Sequence, residues 1–265
     1  MLKTTPNYPI KVLTKTFAVL EVLLEHKSPM SMSKISEKLK YYPSTVHRIL
    51  DTLKYGGYVE QNQNTQKYQL GLKLIELGMA KINQIDLIKE SRPFLRELAK
   101  NCNETVHLAI LEDTNVLYLA KEESSQTISI RMISYVGMRR PLHCTALGKI
   151  LLAFLPIKER DNLLARLELF KLTENTITNR KQLETELNKV VQRGFGMDRE
   201  ENEKDVCCIA APVKDYQGKV IAAVSISSPT YRVDQEKHNY LKQYLIATCQ
   251  NISSRLGYKQ NNKNI

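Results

Sequence analysis

Several things are missing from this sequence, and each absence excludes a class of protein. The five cysteines, Cys102, Cys144, Cys207, Cys208 and Cys249, are odd in number and form no CxxC pair. That argues against a secreted disulfide scaffold and predicts reduced thiols in a cytoplasm. No apolar stretch approaches the roughly 18 residues of a membrane span. The opening MLKTTPNYPIKVL has no apolar run of signal-peptide length. No membrane partner is expected. There is no internal repeat and no low-complexity tract. A GxSxG elbow, a Walker A loop, an HExxH pair and a Gly-rich dinucleotide fingerprint are all absent. Neither an enzyme nor a cofactor is therefore expected.

What is present is an ordinary globular composition with a basic excess. At 265 residues the chain has room for two domains, and 42% hydrophobic residues suffice for real cores. The formal net charge is +11, which suits an anionic partner without demanding one. The excess is denser at the N-terminal end: residues 1–80 hold ten Lys and Arg48 against five Glu and Asp51.

That end also holds the most informative stretch, Ser31–Leu53. Ile35 and Leu39 stand four apart, one contact line of a short helix. After a tight turn, Val46, Ile49, Leu50 and Leu53 fall at i, i+3, i+4 and i+7, the stripe of an amphipathic helix. At about 100° per residue the opposite face carries Ser44, Arg48, Asp51 and Tyr55, flanked by Thr45, His47 and Thr52. Short hydroxyl side chains allow close approach to phosphates, and Arg can fork onto a guanine edge. Pro43 suits a first helical turn, where its missing N–H has no partner to lose. The spacing predicts a helix-turn-helix whose Ser44, Thr45, His47 and Arg48 read bases.

A helix from Val12 to about His26 precedes it, with Leu13, Phe17, Leu20 and Leu24 on one side. Gly56-Gly57 stops the second helix where a left-handed cap is wanted. Tyr58–Gln61 and Lys67–Leu70 then read as a hairpin, which makes a winged helix. Its tip would bring Gln63, Asn64 and Lys67 to phosphates or the minor groove; a plain surface hairpin is the alternative. Residues 72–84 form a helix with two apolar stripes, Ile75/Met79/Ile82 and Leu74/Leu77. It serves either domain packing and dimer contact or the winged-helix core. The expected domains are a winged helix over 1–71, a connecting helix over 72–86, a second domain over 87–257 and a polar tail over 258–265.

In that second domain the pattern predicts strands at Thr105–Leu111, Asn115–Glu123, Thr127–Ile133, Val206–Lys214 and Lys219–Ser227. Helices are expected from Asp86 to about Lys100 and over Thr145–Leu155, Lys158–Leu167, Arg180–Arg193 and Asp234–Leu256. The fold class is α+β, an antiparallel sheet with helices packed on it. Arg139–Ala146 runs straight into a helix N-terminus, an anion seat in principle. Ser225 and Ser227 lie two apart on a strand, so their hydroxyls share a face. A small organic acid or polar metabolite would suit such a surface, although alternating serines also fit a solvent face. His143, Cys144, Asp198 and Cys208 are the groups a metal would draw on. Their wide separation in sequence favours ordinary core or pocket roles, and no metal is expected.

Several blocks together resemble the IclR family of bacterial transcription regulators: LTKTFAVLEVLLEH, STVHRILDTLKYGGYV, RRPLHCTALGKILLAFL and GFGMDREENEKDVCCIAAPVKDYQGKVIAAVSISSPTYR. The similarity runs from about Val12 to Leu256. It implies a winged-helix DNA-binding domain joined by a helix to a GAF-like effector-binding domain. It also implies homodimers or homotetramers on palindromic double-stranded operator DNA. The family's effector cleft maps onto Ala146, Leu147, Asp198, Cys208, Ser225 and Ser227. Some members carry Gly-Ala where Ala146-Leu147 stand, so the ligand cannot be copied from a relative, and zinc is left open. The function expected is repression of a metabolic operon, relieved or retuned by a small organic acid or sugar acid. An activator of the same architecture is one alternative; an enzyme fused to a DNA-binding module, or a winged helix that binds protein, are others.

Overall fold

The computed structural model describes residues 10–26, 28–83, 86–123 and 134–259. The strand expected at Thr127–Ile133, the arm before Ile10 and the tail after Lys259 lie outside them. Contacts divide the chain into two compact units, Met1–Ile85 and Asp86–Ile265.

The first unit is helical with one hairpin. Its elements are α1 (Lys11–His26), α2 (Met32–Leu39), α3 (Pro43–Tyr55), β1 (Val59–Gln61), β2 (Tyr68–Leu70) and α4 (Lys73–Asn83). Val46, Ile49, Leu50 and Leu53 of α3 are all buried, packed with Ile35 of α2 and with Val19, Val22 and Leu23 of α1. The α2–α3 turn is fixed locally. Ser36 Oγ donates to Tyr41 O at 2.5 Å, and Lys40 takes the left-handed conformation that ends α2. Gly57, at φ 73°, supplies the left-handed residue after α3. β1 and β2 pair antiparallel, Glu60 opposite Gln69, and Met30 bridges to Tyr68.

Of the stripe read on α1, Leu20 is half-buried against this core, but its other three members face away. Leu13, Phe17 and Leu24 are each about half exposed or more, because Val19, Val22 and Leu23 occupy the packed side. Leu72, Ile75 and Leu77 at α4 are exposed too and take no part in the first unit's core. The side chains of Met79 and Ile82 lie outside the described residues.

The second unit contains α5 (Leu87–Cys102), β3 (Thr105–Glu112), β4 (Asn115–Glu122), β5 (Arg139–Pro141), α6 (Ala146–Ala153) and α7 (Ile157–Arg166). These are followed by α8 (Arg180–Arg193), β6 (Gly196–Arg199), β7 (Val206–Lys214), β8 (Val220–Pro229) and α9 (Gln235–Arg255). The strands form one antiparallel sheet in the order β5-β4-β3-β8-β7-β6. β8 is central and almost wholly buried, which is why it reads as the small apolar run VIAAVSISSP. The α5 stripe Leu95, Leu98, Ala99 and Cys102 packs with α9, whose buried line is Leu241, Leu245, Cys249 and Ile252. α6 covers the other face, where Ala109, Ala210 and Ala223 meet Ala146, Leu147 and Ile150. Small residues on the sheet let the helix approach.

β5 and β6 were not legible as strands. Each is short, and β6 sits where the Gly194/Gly196 pair reads as a kink.

Candidate DNA interface and effector face

The outer face of α3 is free. Ser44, His47 and Arg48 are exposed and Thr45 half-buried. Among the described residues the Arg48 guanidinium has no ion-pair partner, whereas Lys54 pairs with Asp51 at 3.4 Å. Thr52 Oγ1 donates back to Arg48 O at 2.8 Å, which holds the last turns. The N-cap residue of α3, Tyr42, makes no side-chain capping bond, while Ser31 accepts from Lys34 N on α2. The amide end of α3 is thus open to an anion such as a phosphate. Lys67 is exposed at the base of the hairpin, whose tip is ordered by Asn62 Oδ1 accepting from Asn64 N and Thr65 N.

In the second unit, register alone brings the separated residues together. Asp198 lies opposite Cys208, Cys208 opposite Ser227 and Ser227 opposite Thr105. One step along, Ala210, Ser225, His107 and Lys121 form the next cross-strand row. Paired residues of antiparallel strands share a face. Asp198, Cys208, Ser225 and Ser227 therefore stand on the side that α6 covers with Ala146 and Leu147. Both serines are buried, so the solvent-face reading falls. Cys208 Sγ donates to Ser227 Oγ at 3.1 Å.

The helix seat is built by Thr145, whose Oγ1 accepts from Gly148 N at 3.0 Å. A Cβ on Gly148 would meet Leu142 O at 2.2 Å, so the preceding loop can fold over α6 only with glycine there. His143 Nε2 donates to Phe170 O at 3.0 Å, and the ring takes a packing role. Leu147 is part of the apolar core.

Electrostatics set this face apart. Asp198 Oδ1 accepts from Glu201 N at 2.8 Å, yet burial pushes its carboxyl up to about 7, with the nearby Glu201 adding to the rise. His107 is lowered to about 3, first by burial and then by Lys121, so its ring is neutral. It stacks on Tyr118 with centroids 4.8 Å apart and bonds Ser134 Oγ through Nε2 at 2.9 Å. Its Nδ1 is buried with no partner among the described residues. His107, Thr105 and Tyr118 escaped the sequence reading, although Thr105 and His107 alternate along TVHLAILE as Ser225 and Ser227 do. Among the described residues no group of three or more His, Cys, Asp or Glu side chains is placed to hold a metal, and burial raises the Cys144 and Cys208 thiols.

Two family models match the chain. One, described as the IclR helix-turn-helix domain, matches residues 12–63. The other, Bacterial transcriptional regulator IclR C-terminal, matches residues 79–254. The chain belongs to the IclR family. It is similar to the transcriptional regulator KdgR of Dickeya chrysanthemi, 39% identical over 245 residues, 92% of this chain and 79% of that one. The DNA-binding transcriptional repressor YiaJ of Escherichia coli is 35% identical over 91% of this chain and 86% of its own. Among solved structures, the IclR of Thermotoga maritima superposes with a TM-score of 0.63 at 34% identity, covering 94% of this chain and 100% of that one. An IclR-family member of this architecture is a DNA-binding transcriptional regulator with a ligand-binding second domain, and not an enzyme. Among the described residues, no helix is long and apolar enough to cross a membrane.

Proposed function

We propose that this regulator is a cytoplasmic repressor that binds a palindromic operator as a homodimer or homotetramer and responds to a small hydroxylated organic acid, such as a sugar acid. Ser44, Thr45, His47 and Arg48 read bases in the major groove, and Lys67 on the wing meets the backbone. The exposed apolar stripe of α1 supports self-association. The repressor YiaJ, among its relatives, favours repression over activation.

The observation that carries the ligand reading is the buried polar set under α6. Ser225, Ser227 and Cys208, the neutral His107 and the half-protonated Asp198 share one sheet face. Soluble domains bury such groups when something hydrogen-bonds to them. Hydroxyls of the ligand would meet the serines and His107 Nδ1, and protonated Asp198 would donate to its acid group. Ala146 and Leu147 close the apolar side. Ligand and DNA are then linked through the two states of the assembly, and the ligand acts by its difference in affinity between them.

Full-length protein carrying Ser225→Ala and Ser227→Ala together tests this. Operator binding should match wild type in gel-shift titration, while the response to sugar acids in a thermal-shift screen should vanish. A double variant that responds with wild-type sensitivity places the ligand elsewhere.

A further inference from the structure

A cavity of about 310 Å3 lies beside the outer end of β7. β6 starts at Gly196, opposite Ala210, so among the described residues β7 runs on from Ala211 to Lys214 with no strand beyond it. Pro212 has no N–H to offer a further strand, and Lys214 N is already taken by Ser253 Oγ at 2.9 Å. The space left is walled by the ends of α6 and α8, by β7 and by α9, with Phe154, Val191, Ala211 and Ile246 as its apolar surface. Its volume is near the lower end of small-molecule sites.

The polar groups in this cavity point to one chemistry. Ser253 Oγ is spent on Lys214 N and on Cys249 O, to which it donates at 2.6 Å; Cys249 Sγ donates to Ala211 O at 3.5 Å. Gln250 and Tyr258 add neutral polar groups to the lining. Two cations line the space, Arg193 and Lys214, and no Asp or Glu does. Arg193 is braced by Glu186 at 2.6 Å and by Phe195 O at 2.7 Å. Lys214 forms no ion pair among the described residues, its ammonium lying 5.1 Å from the centroid of the Tyr258 ring.

We propose that this cavity is a second ligand site, separate from the polar face under α6, for a small apolar monocarboxylate. The apolar body fills the space against Phe154, Val191 and Ile246, and the carboxylate meets Lys214. Cys208, Ser225 and Ser227 take no part in its walls. An occupant would touch Arg193, whose Nε donates to Phe195 O, the residue before β6.

Calorimetric titration of the full-length protein with benzoate, and in parallel with benzamide, tests the assignment. Benzoate should bind saturably in the millimolar range or tighter, and benzamide about tenfold more weakly or worse. Lys214→Glu should weaken benzoate about tenfold or more. Val191→Trp, at the half-exposed mouth, should abolish it. The Ser225→Ala/Ser227→Ala protein should bind benzoate as wild type does. Absence of saturable binding, equal binding of the amide, wild-type affinity in Val191→Trp, or loss of binding in the serine variant would each overturn the proposal. Should Val191→Trp fail to fold by circular dichroism, the acid-against-amide comparison on the wild-type protein decides.

Discussion

Lys149 Nζ lies 2.5 Å from Glu201 Oε1, with both side chains buried. The ammonium also donates to Met197 O at 2.8 Å, so one lysine ties α6 to β6 and to the turn that follows it. Glu201 Oε2 has no partner among the described residues, which makes the lysine the main compensation for that carboxylate. Removing one member of a buried pair leaves a bare charge, at a cost of about 3–5 kcal/mol. Lys149→Met should lower the unfolding free energy of the second unit, read from urea titration, by that amount, and adding Glu201→Gln should recover much of it. Equal losses in the single and double variants would show that packing, and not charge, is at stake.

Asp198 gives a pH dependence of defined sign. Its carboxyl, ordinarily 3.8, rises to about 7 in the folded chain. The folded protein keeps a proton that the unfolded chain releases. Its contribution to stability is therefore whole below about pH 4, falls as pH rises towards 7, and is gone above it. The amplitude is at most about 4 kcal/mol. Asp198→Asn keeps an acceptor for Glu201 N and Asn202 N, so it should fold and show a flatter stability profile between those limits. Identical profiles for the two proteins would mean that Asp198 ionises freely.

The sequence was most legible where a single period governs a segment. The α3 stripe and α8 can be read to the residue because one face of each is buried and the other wet, and β7 because it is one apolar run ended by a turn. β6 was opaque: a short edge strand behind two glycines carries no alternation of its own. The candidate site was half legible. Ser225 and Ser227 stand out by period two and the family resemblance adds Asp198, but only register across β3, β8 and β7 reveals that His107 and Thr105 join them. Pairing of strands more than a hundred residues apart leaves no local mark. The α1 stripe shows the opposite failure, since an apolar face in sequence need not be the face that meets the core.

At the DNA interface, contact type separates two variants. Arg48→Ala should cost about 1–3 kcal/mol at the specific operator and relax preference for one base position. Lys67→Ala should weaken specific and non-specific DNA alike and lower the salt slope by about one. Fluorescence-anisotropy titrations over a salt series distinguish them. Unchanged operator affinity in Arg48→Ala would remove α3 from the groove.

The exposed side of α1 bears on assembly. Phe17 is 59% exposed between Leu13 and Leu24 on the same face, while the packed side is supplied by Val19, Val22 and Leu23. A charge there should leave the first unit folded, since it enters no core, but would be buried wherever two copies meet through this face. Phe17→Glu should therefore shift the sedimentation of the full-length protein to a smaller species. It should also weaken operator binding far more than non-specific binding, because a palindromic site needs two correctly spaced recognition helices. A variant with wild-type sedimentation and unchanged circular dichroism would show that the copies associate through some other surface, and would leave the α1 stripe without a partner of this kind.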